Sequence, residues 1–181
     1  MNLRTLVLPV VAAFVLVGCN SGNTTSRAER LNALEDKADE AIDSALAGDA
    51  GLERFFDTAA GYAVFPKIGK GGFIIGGSAG DGVVYQNDRV IGYTSISSGS
   101  IGAQIGGQSF SQVIFFEERT DLNRFKQGDF EFDANASAVA LESGASARAD
   151  YSKGLLVFVF GEKGLMAEAS IGGQKFDYEA R

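Results

Sequence analysis

GYAVFPKIGKGGFIIGGSAGDGVVY, residues 61–85, and SIGAQIGGQSFSQVIFFE, residues 100–117, decide the reading of the fold. Both mix β-branched and aromatic residues with glycines that recur every few positions. A glycine inside a strand gives up a packing side chain and costs backbone entropy, so Gly69, Gly71, Gly72, Gly76, Gly77, Gly80 and Gly82 need a local reason. Tight turns, bulges, barrel corners, or the close approach of another backbone or a ligand supply one. Val64, Phe65, Phe73, Ile74, Ile75, Val83, Val84 and Tyr85 are the strand formers between the breaks. The stretch therefore predicts short, strongly bent antiparallel strands rather than a linker.

Downstream, Asn87-Asp88 predicts a hairpin turn joining 83–86 to 89–96, and residues 100–117 a long strand bent at Gly106-Gly107. Thr120 or Asp121 is placed to cap a brief helix carrying Leu122 and Phe125, which Gly128 stops. Strand patterns then return in Phe130–Asp133, in the small-residue alternation Ala136–Ala149, in the apolar run Gly154–Phe160 and in Gly164–Phe176, with a turn at Gly161–Gly164. Ile105-Gly106-Gly107-Gln108-Ser109-Phe110 is echoed by Ile171-Gly172-Gly173-Gln174-Lys175-Phe176, which suggests equivalent strands in one closed sheet rather than a solenoid.

Upstream, Ser26 and Glu29 form a capping box, and Leu31, Leu34, Ala38, Ala41, Ile42, Ala45 and Leu46 recur at helical spacing, giving an amphipathic helix over 26–47. Its polar face carries Glu29, Glu35, Asp36, Asp39, Glu40 and Asp43 against Arg27, Arg30 and Lys37. Helices that lie in membrane surfaces are normally basic, so packing against the domain is the favoured reading. A second helix is expected over 51–59, with Leu52, Phe55 and Phe56 inward and Asp49 near its start.

Residues 1–18 read as an export signal: Arg4 precedes an apolar run, Leu6–Val17, too short for an ordinary membrane span. Leu16-Val17-Gly18-Cys19 resembles the lipobox of bacterial lipoproteins, in which the cysteine becomes the acylated N-terminus, and the chain's single cysteine stands where that motif needs it. Several acyl chains, such as palmitate, exceed what stable anchoring requires, so no spanning helix is needed. Residues 19–25 are a small, polar tether, and Asn20 after the cysteine resembles the outer-membrane sorting pattern, pointing to the periplasmic face of the outer membrane.

Of 181 residues, 45% are hydrophobic, which suits one domain with a real core. With 16 basic against 23 acidic residues, nucleic acid is not expected as a partner. One cysteine excludes an internal disulfide, and the absence of histidine removes the commonest general base and metal ligand. Gly76-Gly77-Ser78-Ala79-Gly80 matches the G-x-S-x-G elbow of serine hydrolases, yet that motif needs a strand-to-helix turn and a histidine. Gly69-Lys70-Gly71-Gly72 lacks the Ser or Thr of a phosphate loop. Asp129, Glu131, Asp133 and Asn135 lack the loop glycine of a calcium site, and strand alternation reads them as a solvated face. No cofactor, metal or catalytic residue is expected. A small basic group, Lys67, Lys70 and Arg89, remains; beside the amides of Gly71 and Gly72 it is the candidate site for an anionic headgroup.

Residues 61–85, Gly92-Tyr93, Ser100–Gln108, Phe115-Phe116, Lys163–Met166 and Gly172-Gly173-Gln174 together resemble the SYLF family, known from yeast members as an actin-binding, cortical-patch domain. The likeness runs over about 30–178, within a domain of 26–181. It implies a non-enzymatic module that binds lipid, with phosphoinositide-binding eukaryotic relatives and exported or lipid-anchored bacterial ones. This chain departs in its acidic first helix and in lacking an accompanying Src-homology-3 or FYVE module, and an exported bacterial protein does not ordinarily meet actin. The expectation is an α+β domain with a curved antiparallel sheet, barrel-like or sandwiched, covered by the N-terminal helices. It hangs from acylated Cys19 and binds a phospholipid headgroup or, alternatively, serves as an envelope scaffold for a protein partner.

Overall fold

The computed structural model describes residues 26–72, 75–101, 108–128, 137–161, 169–170 and 173–181. The glycine-rich stretch forms β1 (Gly61–Gly72), β2 (Ile75–Gln86) and β3 (Arg89–Ile101), followed by β4 (Gln108–Phe116). Asn87 and Asp88 take left-handed backbone angles, φ 50° and 56°, as the mirror-image hairpin turn between β2 and β3 demands. β5 (Ser137–Ala140), β6 (Leu155–Phe160), β7 (Ala169–Ser170) and β8 (Lys175–Ala180) complete a sheet ordered β7-β5-β6-β4-β1-β2-β3-β8. The α+β class is as expected, with two refinements. β5 runs parallel to β6, so the sheet is mixed. No pairing joins β7 to β8 among the described residues, so the sheet curls without closing.

Both faces are packed. On one lies α1 (Arg27–Gly48), whose buried residues are Ala38, Ala41 and Ala45, together with a 3₁₀ turn (Ala50–Leu52) and α2 (Glu53–Thr58). They cover Tyr62, Val64, Val83, Tyr85, Val113, Phe115 and Phe158. Alternation sends Ala63, Phe65, Val84, Ile114 and Phe116 to the concave face, with Ile68, Ile96 and Phe176. That face is filled by α3 (Arg119–Lys126) rather than by the N-terminal helices: the Phe125 ring lies 5.0 Å from Phe116 and 5.2 Å from Phe176. α3 packs there against β8, β1 and β4. Deep in the same face, Gln112 of β4 and Gln174, just before β8, exchange reciprocal amide hydrogen bonds of 3.1 and 3.2 Å.

Several boundaries differ from the sequence reading. Ser100-Ile101 end β3 instead of opening the next strand, and the bend at Gly106-Gly107 falls outside the described residues. α3 is capped by Glu118, not Thr120 or Asp121: Asp121 returns the bond as the third residue of a capping box, receiving the Glu118 N–H at 3.3 Å. The alternation over 136–149 yields only β5. Gly144 at φ +78° turns the chain, and the carboxylate of Asp49 accepts the Ser146 N–H at 2.7 Å to start a second 3₁₀ turn, Ser146–Arg148. Phe130–Asp133 and most of 162–172 lie outside the described residues. Where the echo is described it is partial: Gln108 opens β4 while Gln174 precedes β8, Phe110 and Phe176 both enter the concave core, and the sheet that holds them is not the closed one expected.

Candidate functional site

Toward their far ends β1, β2 and β3 run out of side chains. The cross-strand rows read Gly69–Ala79–Ser97, Lys70–Ser78–Ser98, Gly71–Gly77–Gly99 and Gly72–Gly76–Ser100. Lys70 is the one cation in these rows, and exposed Lys67 precedes them. Ser78 stands mid-strand with its hydroxyl 2.6 Å from that of Ser98, on no strand-to-helix turn, so the hydrolase elbow is absent. Lys70 is the last β1 residue paired to β4, at Gln108; beyond it, Gly71 and Gly72 are paired only on the β2 side among the described residues. Gly69, by contrast, is paired on both sides.

Arg89 does not join this group. It faces Gln86 at the opposite end of β2, eight residues from Ser78, or about 26 Å at strand rise. The lysines lie on β1 near its connection to β2, whereas Arg89 follows the turn at the other end of β2, so the length of that strand separates them. Cys19 lies outside the described residues. Among the described residues no group of His, Cys, Asp and Glu is placed to hold a metal ion, and no helix is long and apolar enough to cross a membrane.

The sheet face under α1 has a different character. Tyr85 donates to Asp39 at 3.0 Å and Tyr93 to Glu35 at 2.5 Å, while Arg27 reaches Glu179. α1 therefore crosses the strands in the order β2, β3, β8 as it is followed back to its N-terminus. Burial raises the phenols of Tyr62, Tyr85 and Tyr93, seconded at Tyr62 by the Asp88 charge, at Tyr85 by that of Asp39 and at Tyr93 by the bond to Glu35. All three stay protonated donors through neutral pH. The alanines that seat the C-terminal half of α1 give way in its N-terminal half to half-buried Leu31 and Leu34. Beneath that half opens a groove of about 610 Å³.

Arg30 and Lys37 line the groove from the helix, and Asp81, Ser95 and Asp177 from the sheet. The last three form one cross-strand row, Asp81 opposite Ser95 and Ser95 opposite Asp177. Sequence reading recorded α1 as an acidic helix and missed this wall. The available signal was the spacing of Arg30, Leu34 and Lys37, which puts both cations on one stripe.

Comparison with known proteins bears on the chain as a whole. The family model Ysc84, described as Las17-binding protein actin regulator, matches residues 97–180, from the end of β3 through β8. Beta cell expansion factor A of Aeromonas veronii is 30% identical over 155 residues, 85% of this chain and 59% of that protein. This chain therefore spans under two thirds of the relative's length.

Proposed function

Since the chain belongs to the Ysc84, or SYLF, family, matched by the family model over residues 97–180, we propose that it is a lipid-anchored, non-enzymatic envelope protein whose domain binds anionic lipid headgroups. Cys19 carries the acyl anchor, most consistent with the periplasmic face of the outer membrane. Lys67 and Lys70 contact the headgroup at the glycine-rich end of β1 and β2.

The observation that carries this reading is the set of cross-strand rows built from Gly, Ala and Ser around Lys70. Such a surface has almost no side-chain bulk to hold a flat, charged layer away from the main chain. Gly71 and Gly72 extend this low-bulk surface beside the lysine. The chain is acidic overall, with net charge −7, so attraction is local to these lysines and falls with salt.

Sedimentation of a soluble form beginning at Asn20 with vesicles tests the proposal. Recovery is expected to be higher with anionic than with neutral lipid, and to fall in the double variant Lys67→Glu, Lys70→Glu. Equal recovery on both lipids removes headgroup binding. Arg89→Glu, at the far end of the sheet, is expected to leave recovery unchanged.

A further inference from the structure

We propose that the groove between α1 and the β2–β3–β8 floor binds a small zwitterion in which a phosphate is joined by a short spacer to an ammonium group. Arg30 and Lys37 on the helix, and Asp81 and Asp177 on the sheet, make no ion pair or side-chain hydrogen bond among the described residues, although all line one cavity. Elsewhere on the same helix the pairs are made: Arg27 with Glu179, and Glu35 with both Tyr93 and Arg181.

The unmade pairs are in register. α1 crosses toward β8 at its N-terminus, so Arg30 stands at the Asp177 end of the groove and Lys37 at the Asp81 end. Seven helical residues separate the cations by about 10.5 Å along the axis. Two strand spacings separate the aspartates by about 9.6 Å. The two walls are thus opposite in charge and run in the same order, and no ion pair joins them among the described residues. A ligand fits between them if it offers an anion to the helix and a cation to the sheet.

Size and donor type narrow the class. A cavity of about 610 Å³ is that of a small-molecule site, since such sites span about 300–1,000 Å³. Arginine's planar fork suits phosphate oxygens, and Lys37 adds a second point charge from the same wall. The aspartates, flanking the Ser95 hydroxyl, suit an ammonium. Half-buried Leu31, Leu34 and Tyr93 accommodate the spacer. Lys67 and Lys70 form no part of this site, so it stands or falls separately from the reading above.

The probe is O-phosphoethanolamine, titrated calorimetrically into the full chain in maltoside micelles. Saturable binding is expected. It weakens about fivefold, the scale of one part-exposed charge contact, in Arg30→Ala or Lys37→Ala on one wall and in Asp81→Asn or Asp177→Asn on the other. Inorganic phosphate and ethanolamine, each carrying half of the zwitterion, bind at least that much more weakly. Competition by lysophosphatidylethanolamine in the micelle identifies a lipid headgroup as the source, and its failure identifies the free zwitterion. The four substituted residues are exposed, and circular dichroism of each variant verifies that the fold is kept. No binding, binding indifferent to either wall, or phosphate binding as tightly as phosphoethanolamine overturns the proposal.

Discussion

Replacing Gln112 by leucine tests what holds the sheet in its curl. Gln112 is fully buried and Gln174 is 3% exposed, and each donates to the other's carbonyl. β4 and β8 are four places apart in the strand order, so this amide ring ties distant strands across the concave core. Leucine removes both bonds and strands the amide N–H and carbonyl of Gln174 in an apolar setting. Each orphaned buried group costs about 1–3 kcal/mol, so the single variant is expected to lose about 2–4 kcal/mol. In a domain of this size that is a fall of about 5–15 °C in Tm. Gln112→Leu combined with Gln174→Leu leaves no orphan and replaces polar by apolar surface, so it is expected to recover to within about 1 kcal/mol of the parent. Guanidinium unfolding of the soluble form, followed by circular dichroism, reads all four corners of the cycle. The reasoning is refuted if the two substitutions add, because additivity means that the side chains do not depend on each other.

Three other outcomes follow from particular contacts. Hydrogen bonding from the Ser146 N–H holds the Asp49 carboxyl below its usual value of 3.8. The folded state therefore binds fewer protons than the unfolded one, and the stability Asp49 contributes is present above the unfolded value and lost as pH falls through the lowered one. Asp49→Asn is expected to flatten that acid limb in a pH series of unfolding curves; an unchanged limb counts against the clamp. A Cβ at Gly82 would stand 2.7 Å from the Phe65 ring and 2.8 Å from the Val64 carbonyl, so Gly82→Ala is expected to cost about 1–3 kcal/mol by denaturant midpoint. Cys19→Ser is expected to move the protein from the membrane to the soluble fraction on cell fractionation, and continued membrane retention excludes the cysteine as anchor.

What could be read from the residues divides along a physical line. Elements set by local chemistry were legible: the Ser26 and Glu29 capping box appears with both bonds made, and Asn87-Asp88 makes the β2–β3 turn. Elements set by contacts distant in sequence were not. Ala136–Ala149 alternates like a strand, but the β-pattern was cut short because Asp49, 97 residues away, draws the Ser146 amide into a turn. Glu118 captured the helix start because it lies just beyond β4, where the main chain is already turning; Thr120 donates to it instead of capping.

The candidate sites divide in the same way. Lys67 and Lys70 are neighbours in sequence and stay at one end of the sheet, whereas Arg89, 19 residues beyond Lys70, lies at the other end of β2. The α1 groove draws on the first helix, on β2 and on the last strand, so no window of sequence contains it. Its cations also disappeared into a helix whose net charge is negative. Net charge sums over a surface, while recognition depends on which charges share a stripe. Arg30 and Lys37 share one, and the crossing order fixed by Tyr85, Tyr93 and Glu179 sets that stripe over Asp81 and Asp177.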